Sequence, residues 1–427
     1  MNYQIKNGTV LLYGENGFYT ENTDIYVRGN IIAGVGDADP APEENWETVD
    51  AKDRLVMPGL INMHTHAYMT ILRNYADDVA FEEWLFQRVS PVEDRLPKEA
   101  AYWMNMLAFA EMFRSGTTSY VDMHMYRCQS ARAAQDAGIR AFIGRGLVGE
   151  DLFEDGMPRY REALDEKEQY ESDRIRFILS PHAPYSCSPK LYRQVAEEAE
   201  RLGLLKQTHL SEGEAEVASC LEKYGKTPVE LMDSIGWLDE KTILAHCVQM
   251  RGDDIRILGE RRVSVVTNPA SNAKLGNGFA PVTEMEGTGI NLCLGTDGTS
   301  SNNTLNMFRE MGLLSLIHKG IRKDPTAMPA QHVLAYATVN GAKGLGMERQ
   351  LGEIREGAKA DLIFLDLTEP SLFPNNNIVS SLCYSANGSE VCSVMADGRF
   401  VMKDRELLTI DLERVRFEVR KVAEEFL

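Results

Sequence analysis

Residues 54–66 read Arg-Leu-Val-Met-Pro-Gly-Leu-Ile-Asn-Met-His-Thr-His, and from here on the chain changes character. The stretch from Arg54 to His64 is almost wholly apolar and short, which predicts a strand buried on both faces. Seven more runs of this kind follow: 117–123 (TTSYVDM), 140–148 (RAFIGRGLV), 174–182 (RIRFILSPH), 204–210 (LLKQTHL), 242–248 (TILAHCV), 263–269 (VSVVTNP) and 290–297 (INLCLGTD). Segments of helical periodicity separate them, such as 97–116 (PKEAAYWMNMLAFAEMFRSG) and 188–203 (SPKLYRQVAEEAERLG), each closing on glycine. Eight strand-helix units predict an α/β chain whose centre is a (β/α)₈ TIM barrel, with its working rim at the C-terminal ends of the strands.

Outward from the barrel, both ends read as antiparallel β-structure. Residues 9–14 (TVLLYG) and 23–36 (TDIYVRGNIIAGVG) alternate apolar and polar positions, with Arg28-Gly29-Asn30 as a tight turn. Residues 360–367 (ADLIFLDL) and 391–402 (VCSVMADGRFVM) return to the same pattern. The expected organisation is a small β-sandwich shared by residues 1–56 and 356–427, around a barrel spanning 57–355. Residues 411–427 (DLERVRFEVRKVAEEFL) predict a closing amphipathic helix.

A formal net charge of −19 over 427 residues repels phosphate backbones and anionic lipid surfaces, so neither nucleic acid nor membrane is expected as a partner. The first residues, MNYQIKNGTV, carry no basic segment leading into an apolar one, and no apolar run reaches bilayer length. The seven cysteines are scattered without a C-x-x-C pair, as expected of reduced thiols in a cytoplasmic protein.

His64 and His66, two apart at the end of a strand, point to the same face. Alone, the pair reads equally well as two hydrogen-bonded polar histidines. Position adds weight: His209 ends the fifth run, His246 the sixth and Asp297 the eighth, so four strands deliver an imidazole or carboxylate to one rim. Neutral imidazoles with one carboxylate suit zinc or a similar divalent ion, with a place left for water.

The order His-Thr-His, His209, His246, then Asp297 in Gly-Thr-Asp, with residues 351–367 (LGEIREGAKADLIFLDL), resembles the amidohydrolase superfamily over essentially the whole chain. Four longer strings look like the methylthioadenosine/S-adenosylhomocysteine deaminases within it: 81–96 (FEEWLFQRVSPVEDRL), 180–189 (SPHAPYSCSP), 268–278 (NPASNAKLGNG) and 295–303 (GTDGTSSNN). Some members hold two metals bridged by a carboxylated lysine from the fourth strand. Here that strand ends in Ser180-Pro181-His182, and Lys190 falls in the next helix, so one metal is expected. The resemblance implies His64, His66, His209 and Asp297 as its ligands, zinc as the metal with iron, nickel and manganese open, and hydrolytic deamination of an adenosine derivative.

The resemblance also distributes the chemistry. Asp297 would accept a proton from the attacking water, and His246 would orient that water, direct metal ligation being the alternative. Glu212 would protonate the purine at N1, although spacing alone equally allows a solvated loop glutamate beside Glu214 and Glu216. His182 would hydrogen-bond the purine, Glu93 would take the ribose hydroxyls and Trp84 would pack over the nucleoside. Arg145 and Arg159 would reach a homocysteine carboxylate, with Arg161 equally reachable. The partner expected is a small nucleoside, and the chain a homodimer or homotetramer. The alternatives are a deaminase or chlorohydrolase of another aminated heterocycle, guanine or a triazine, and a scaffold that has lost its chemistry. An intact ligand set argues against the last. His318 and His332 are expected to be structural, His124 to edge the pocket at most, and Cys247 to be a buried thiol. The H-x-E and P-C-x-x-C pattern of nucleic-acid deaminases is absent.

Overall fold

The computed structural model describes residues 1–36, 45–126 and 128–427. Its centre is an eight-stranded parallel sheet in simple chain order: β1 (Leu60–Thr65), β2 (Thr117–His124), β3 (Arg140–Leu147), β4 (Ile175–Pro181), β5 (Lys206–Leu210), β6 (Thr242–His246), β7 (Ser264–Thr267) and β8 (Asn291–Leu294). The ring closes where the Asp297 N–H donates to the His64 carbonyl at 2.9 Å and the Thr296 N–H to Asn62 Oδ1 at 3.0 Å. Inside the barrel, Ile61, Met63, Val121, Phe142, Ile178, Ile243, Val266 and Cys293 form one apolar cluster beneath the rim, capped by Leu345. It is a packed plug, so chemistry is confined to the strand ends.

Helix boundaries follow the local chemistry expected of them. Ser188 accepts the Leu191 N–H to start Pro189–Leu202, which stops at Gly203 in the left-handed region, φ 68°. The C-terminal helix Leu412–Phe426, begun by an Asp411 cap, lays Val419, Val422, Ala423 and Phe426 against the cluster that contains Trp84, Met104 and Tyr68. Among the described residues no helix is long and apolar enough to cross a membrane.

One expectation is corrected. Residues 54–64 do not form a single barrel strand: Arg54–Pro58 belongs to a different sheet, and the barrel begins at Leu60. Gly59 marks the break, because a Cβ there would sit 2.0 Å from Thr118 Oγ1, so only glycine lets the chain pass this close to β2. Both halves are apolar because both are buried on two sides, which hides the break from hydropathy.

Arg54–Pro58 lies between Leu362–Asp366, antiparallel, and Thr9–Gly14, parallel, in a seven-stranded sheet built from both ends of the chain. A four-stranded sheet (Ile31–Val35, Ile25–Arg28, Asn2–Lys6, Glu47–Asp50) covers one face of it. The strands alternate as period 2 requires: Val10, Val56, Leu362 and Phe364 face Ile5, Ile25, Val27 and Ile32 in the sandwich core, while Leu11, Leu55, Ile363 and Leu365 face the barrel helices. The seven-stranded sheet thus welds the sandwich to the barrel.

Candidate active site

His64 lies on β1 one residue before its end and His66 just beyond it, and His209 lies on β5 one residue before its end. The His66 Nδ1–H donates to the Met123 carbonyl at 2.7 Å and the His209 Nδ1–H to the His182 carbonyl at 2.8 Å. Carbonyls only accept, so both rings carry their proton on Nδ1 and present bare Nε2 lone pairs, which face each other at 3.2 Å. Both nitrogens of the fully buried His64 lack a hydrogen-bond partner. Such an arrangement is repulsive without a cation between the rings. Two overlapping groups, His64–His66–His209 and His64–His246–Asp297, bring their ligating atoms within 4.8 Å of one another. The donor set therefore fits a divalent ion.

Asp297 divides its two oxygens between tasks. Oδ2 accepts from Ser271 Oγ at 2.7 Å and Ser301 Oγ at 2.6 Å, while Oδ1 stands 3.4 Å from Nε2 of both His64 and His66. Burial would raise this carboxyl, but the surrounding imidazoles hold it well below the usual carboxylate range. Burial pushes His64 down to about 4 and keeps His209 neutral as well. The His246 Nδ1–H donates to Asn272 Oδ1 at 2.9 Å, turning its Nε2 toward Glu212 Oε2 at 3.8 Å. With burial opposing, the Glu212 and Asp297 carboxylates raise His246.

Glu212 lies in the loop after β5 and is buried. Burial raises its carboxyl above the ordinary value, as a proton donor requires. Ser211 (φ 50°), His246 (φ 77°), Cys247 (φ 48°) and Asp297 (φ 61°) all adopt left-handed backbone, a concentration of strain that the surrounding bonds maintain.

Beside these groups opens a cavity of about 310 Å³ whose lining includes Trp84, Glu93, Arg159, His182, Glu212 and Tyr185. Trp84 rides on a π-type helix, Glu83–Val89, that the Trp84 Nε1–H ties to Ser300 Oγ at 3.1 Å. Glu93 closes the short helix Ser90–Glu93; Tyr68 donates to its Oε1 at 2.7 Å, and burial lifts its carboxyl to about 7. His182 is pinned through Nδ1 to Ser186 Oγ at 2.8 Å, and burial holds it at about 3. Such a ring is neutral, one nitrogen free to meet a ligand.

The arginines separate. Arg159, on helix Met157–Tyr170, lines the cavity and donates to the Gly146 carbonyl at 3.1 Å. Arg145 is buried but not in that lining: it pairs with Glu162 at 2.9 Å and donates to the His124 carbonyl. On β3, Phe142 points into the barrel and Ile143 outward, so period 2 sends Arg145 outward with Ile143. Arg161 is exposed on the same helix and also outside the lining. His124 is buried behind the wall against Glu166 at 3.1 Å, and Cys247 is a buried thiol. Lys190 is exposed and paired with Asp151.

Six residues given no role from the sequence hold the cavity's polar groups: Ser271 and Ser301 hold Asp297, Asn272 holds His246, Tyr68 holds Glu93, and Asn277 and Glu216 hold Glu212 and its loop. Ser271, Asn272 and Asn277 sit in residues 268–278 and Ser301 in 295–303, strings already singled out by their resemblance, although only Asp297 among their residues had been given a task.

Residues 55–401 match the amidohydrolase family. A 5-methylthioadenosine/S-adenosylhomocysteine deaminase of Caldanaerobacter subterraneus subsp. tengcongensis is 42% identical over 430 residues, covering 99% of this chain and 98% of the relative. Among solved structures, an adenosine deaminase from Xanthomonas campestris with bound zinc superposes with a TM-score of 0.94 at 31% identity, over 99% of this chain and 98% of its own. An atrazine chlorohydrolase from Arthrobacter aurescens, complexed with zinc, shares the fold at 22% identity and a TM-score of 0.89, over 99% and 100% of the two chains.

Proposed function

Because this chain belongs to the amidohydrolase family, we propose that it hydrolyses the 6-amino group of an adenosine derivative, S-adenosylhomocysteine, 5′-methylthioadenosine or adenosine, giving the inosine derivative and ammonia. One observation carries the reading. Glu212, His246, Asp297 and His182 open onto the same cavity as Trp84 and Glu93, so proton-handling groups and nucleoside-sized contacts meet in one place.

His64, His66, His209 and Asp297 would hold a single divalent ion, zinc in the first instance, with iron, nickel and manganese as alternatives. When bound, such an ion supplies Lewis acidity that lowers the pKa of water from about 15.7 towards about 7. The residues do the rest. Asp297 accepts the proton of the water that attacks C6, its Oδ2 being occupied by two serine hydroxyls and its Oδ1 turned inward. Attack places electron density on N1, where Glu212 delivers its proton. His246, locked by Asn272, orients the water and meets the developing charge. The C6–N bond then breaks and ammonia leaves with the protons relayed through the two carboxyl groups. His182 faces the purine, Glu93 the ribose hydroxyls with Tyr68 holding its other oxygen, and Trp84 covers the nucleoside.

The test is ammonia release by metal-loaded enzyme across adenosine derivatives, guanine and triazines, with Glu212→Gln alongside. The expected result is turnover of at least one adenosine derivative, reduced about 10² to 10⁴-fold in Glu212→Gln with metal content unchanged. Turnover of guanine or a triazine alone would reject the nucleoside reading.

A further inference from the structure

Glu216 is the third residue of the helix Glu214–Tyr224, and it is buried, although the sequence places it among solvated glutamates. Its carboxylate does not cap the helix's own first amides. Instead it reaches back into the loop, where its Oε1 accepts the Ser211 N–H at 2.8 Å and Oε2 the Glu212 N–H at 3.0 Å. The same loop is held from the opposite side, since the Ser211 carbonyl accepts the N–H groups of Val248 (3.0 Å) and Gln249 (2.8 Å), just past His246. These bonds maintain the left-handed Ser211, whose φ of 50° costs energy in a residue with a side chain. The side chain of Glu212 has its own support. Asn277 Nδ2 donates to Oε1 at 3.1 Å, and the Asn277 carbonyl is fixed in turn by Gln249 Nε2 at 2.6 Å. Oε2 is left facing His246.

We propose that Glu216 and Asn277 are positioning residues that together aim the Glu212 carboxyl, Glu216 through the backbone and Asn277 through Oε1, so that Oε2 is the oxygen that carries and gives up the proton. An N–H donated to Oε1 favours that oxygen as the carbonyl, which leaves the O–H on Oε2. In the transfer the Oε2–H bond breaks, the purine N1–H bond forms, and the electron pair stays on the carboxylate. The inference rests on the proton-donor role given to Glu212 above. It goes further by placing the control of that role in two residues that do not line the cavity.

The experiment compares full-length, metal-loaded Glu216→Gln, Glu216→Ala and Asn277→Ala with wild type, with Glu214→Gln as a control at an exposed residue paired with Arg251. An adenosine derivative turned over by the wild type serves as substrate, and kcat, KM, metal content and Tm are measured. A displacement of about 1 Å in a reacting group costs on the order of 10²-fold, so kcat is expected to fall about ten- to a hundredfold in Glu216→Ala and Asn277→Ala, with KM and metal content unchanged. Glu216→Gln, which keeps one accepting oxygen, should recover part of the loss, and Glu214→Gln should behave as wild type. A lower Tm with unchanged kcat in both Glu216 variants makes Glu216 a helix-stabilising residue only and overturns the proposal. Should those variants fail to fold, Asn277→Ala decides alone, and an unchanged kcat there overturns it. Normal turnover in Glu212→Gln is a different outcome, which removes the proton-donor reading and this inference with it.

Discussion

Arg159 and Arg145 carry the same charge within one wall of the site, yet only Arg159 lines the cavity, the Arg145 guanidinium being engaged by Glu162. A charge-assisted contact to a carboxylate contributes roughly 1.5 to 3 kcal/mol, or about ten- to a hundredfold in affinity. We therefore expect Arg159→Met to lower kcat/KM for S-adenosylhomocysteine within that range while leaving methylthioadenosine, which has no carboxylate, nearly untouched. Arg145→Met should lower both substrates together, because it leaves Glu162 without its partner and disturbs the helix that carries Arg159. The ratio of the two kcat/KM values, measured in each variant, assigns the roles; a selective loss in Arg145→Met would reverse them. Sequence could name both arginines through their resemblance to a family but could not choose, since the choice depends on strand parity and on Glu162, seventeen residues away. The histidines were more legible because the rim of the barrel is built from strand ends, and strand ends show as the close of each apolar run. Glu216 was illegible for the opposite reason: nothing in its neighbours, Glu214 and a polar loop, signals that its side chain turns inward.

The loops after β7 and β8 are held to the barrel by a helix that never reaches the cavity. Glu310, on Met307–Arg322, is fully buried; Oε2 accepts the Ala270 N–H at 3.0 Å and Oε1 the Asn302 Nδ2–H at 2.8 Å. It thereby ties the segment bearing Ser271 and Asn272 to the segment bearing Ser301. Burial raises its carboxyl to about 7 from an ordinary 4.5, only partly offset by those two donors. Between those values the folded protein holds a proton that the unfolded chain has released, so stability attributable to Glu310 is full below about pH 4.5 and declines as pH rises towards about 7. Glu93 and Glu216 act in the same direction and window. Replacing Glu310 by Gln removes one titrating group. The Tm gap between wild type and Glu310→Gln is expected to shift in the variant's favour as pH rises from 4.5 to 7, and thermal melts showing a constant gap would refute it. The eight strands themselves were readable from hydropathy, except where Gly59 splits two apolar strands belonging to different sheets. Hydropathy reports burial, and both pieces are buried.

At the scale of the whole molecule, barrel and sandwich are joined by a charge as well as by a shared sheet. Arg140, at the start of β3 and 1% exposed, donates through Nε to Asp361 at 2.7 Å, through Nη2 to Asp397 at 2.8 Å and through Nη1 to the Asp173 carbonyl at 3.0 Å. Removing one partner of a buried ion pair typically costs about 3 to 5 kcal/mol, because the other charge is left without compensation. Arg140→Met is expected to lose stability of that order in urea titrations, while the folded fraction keeps its kcat and KM, since the residue lies at the end of the barrel remote from the catalytic rim. A variant as stable as wild type would show that the sheet alone holds the two parts together. That sheet also imposes a delay on biosynthesis. Met57 and Pro58 take as neighbours Ile363 and Leu362, about 300 residues later in the chain. At about 5 to 20 residues per second, a ribosome needs some 15 to 60 s to deliver them. Throughout that interval the nascent strand has an open, apolar edge of the kind other chains can pair with, and the edge closes only when residues 362–366 emerge.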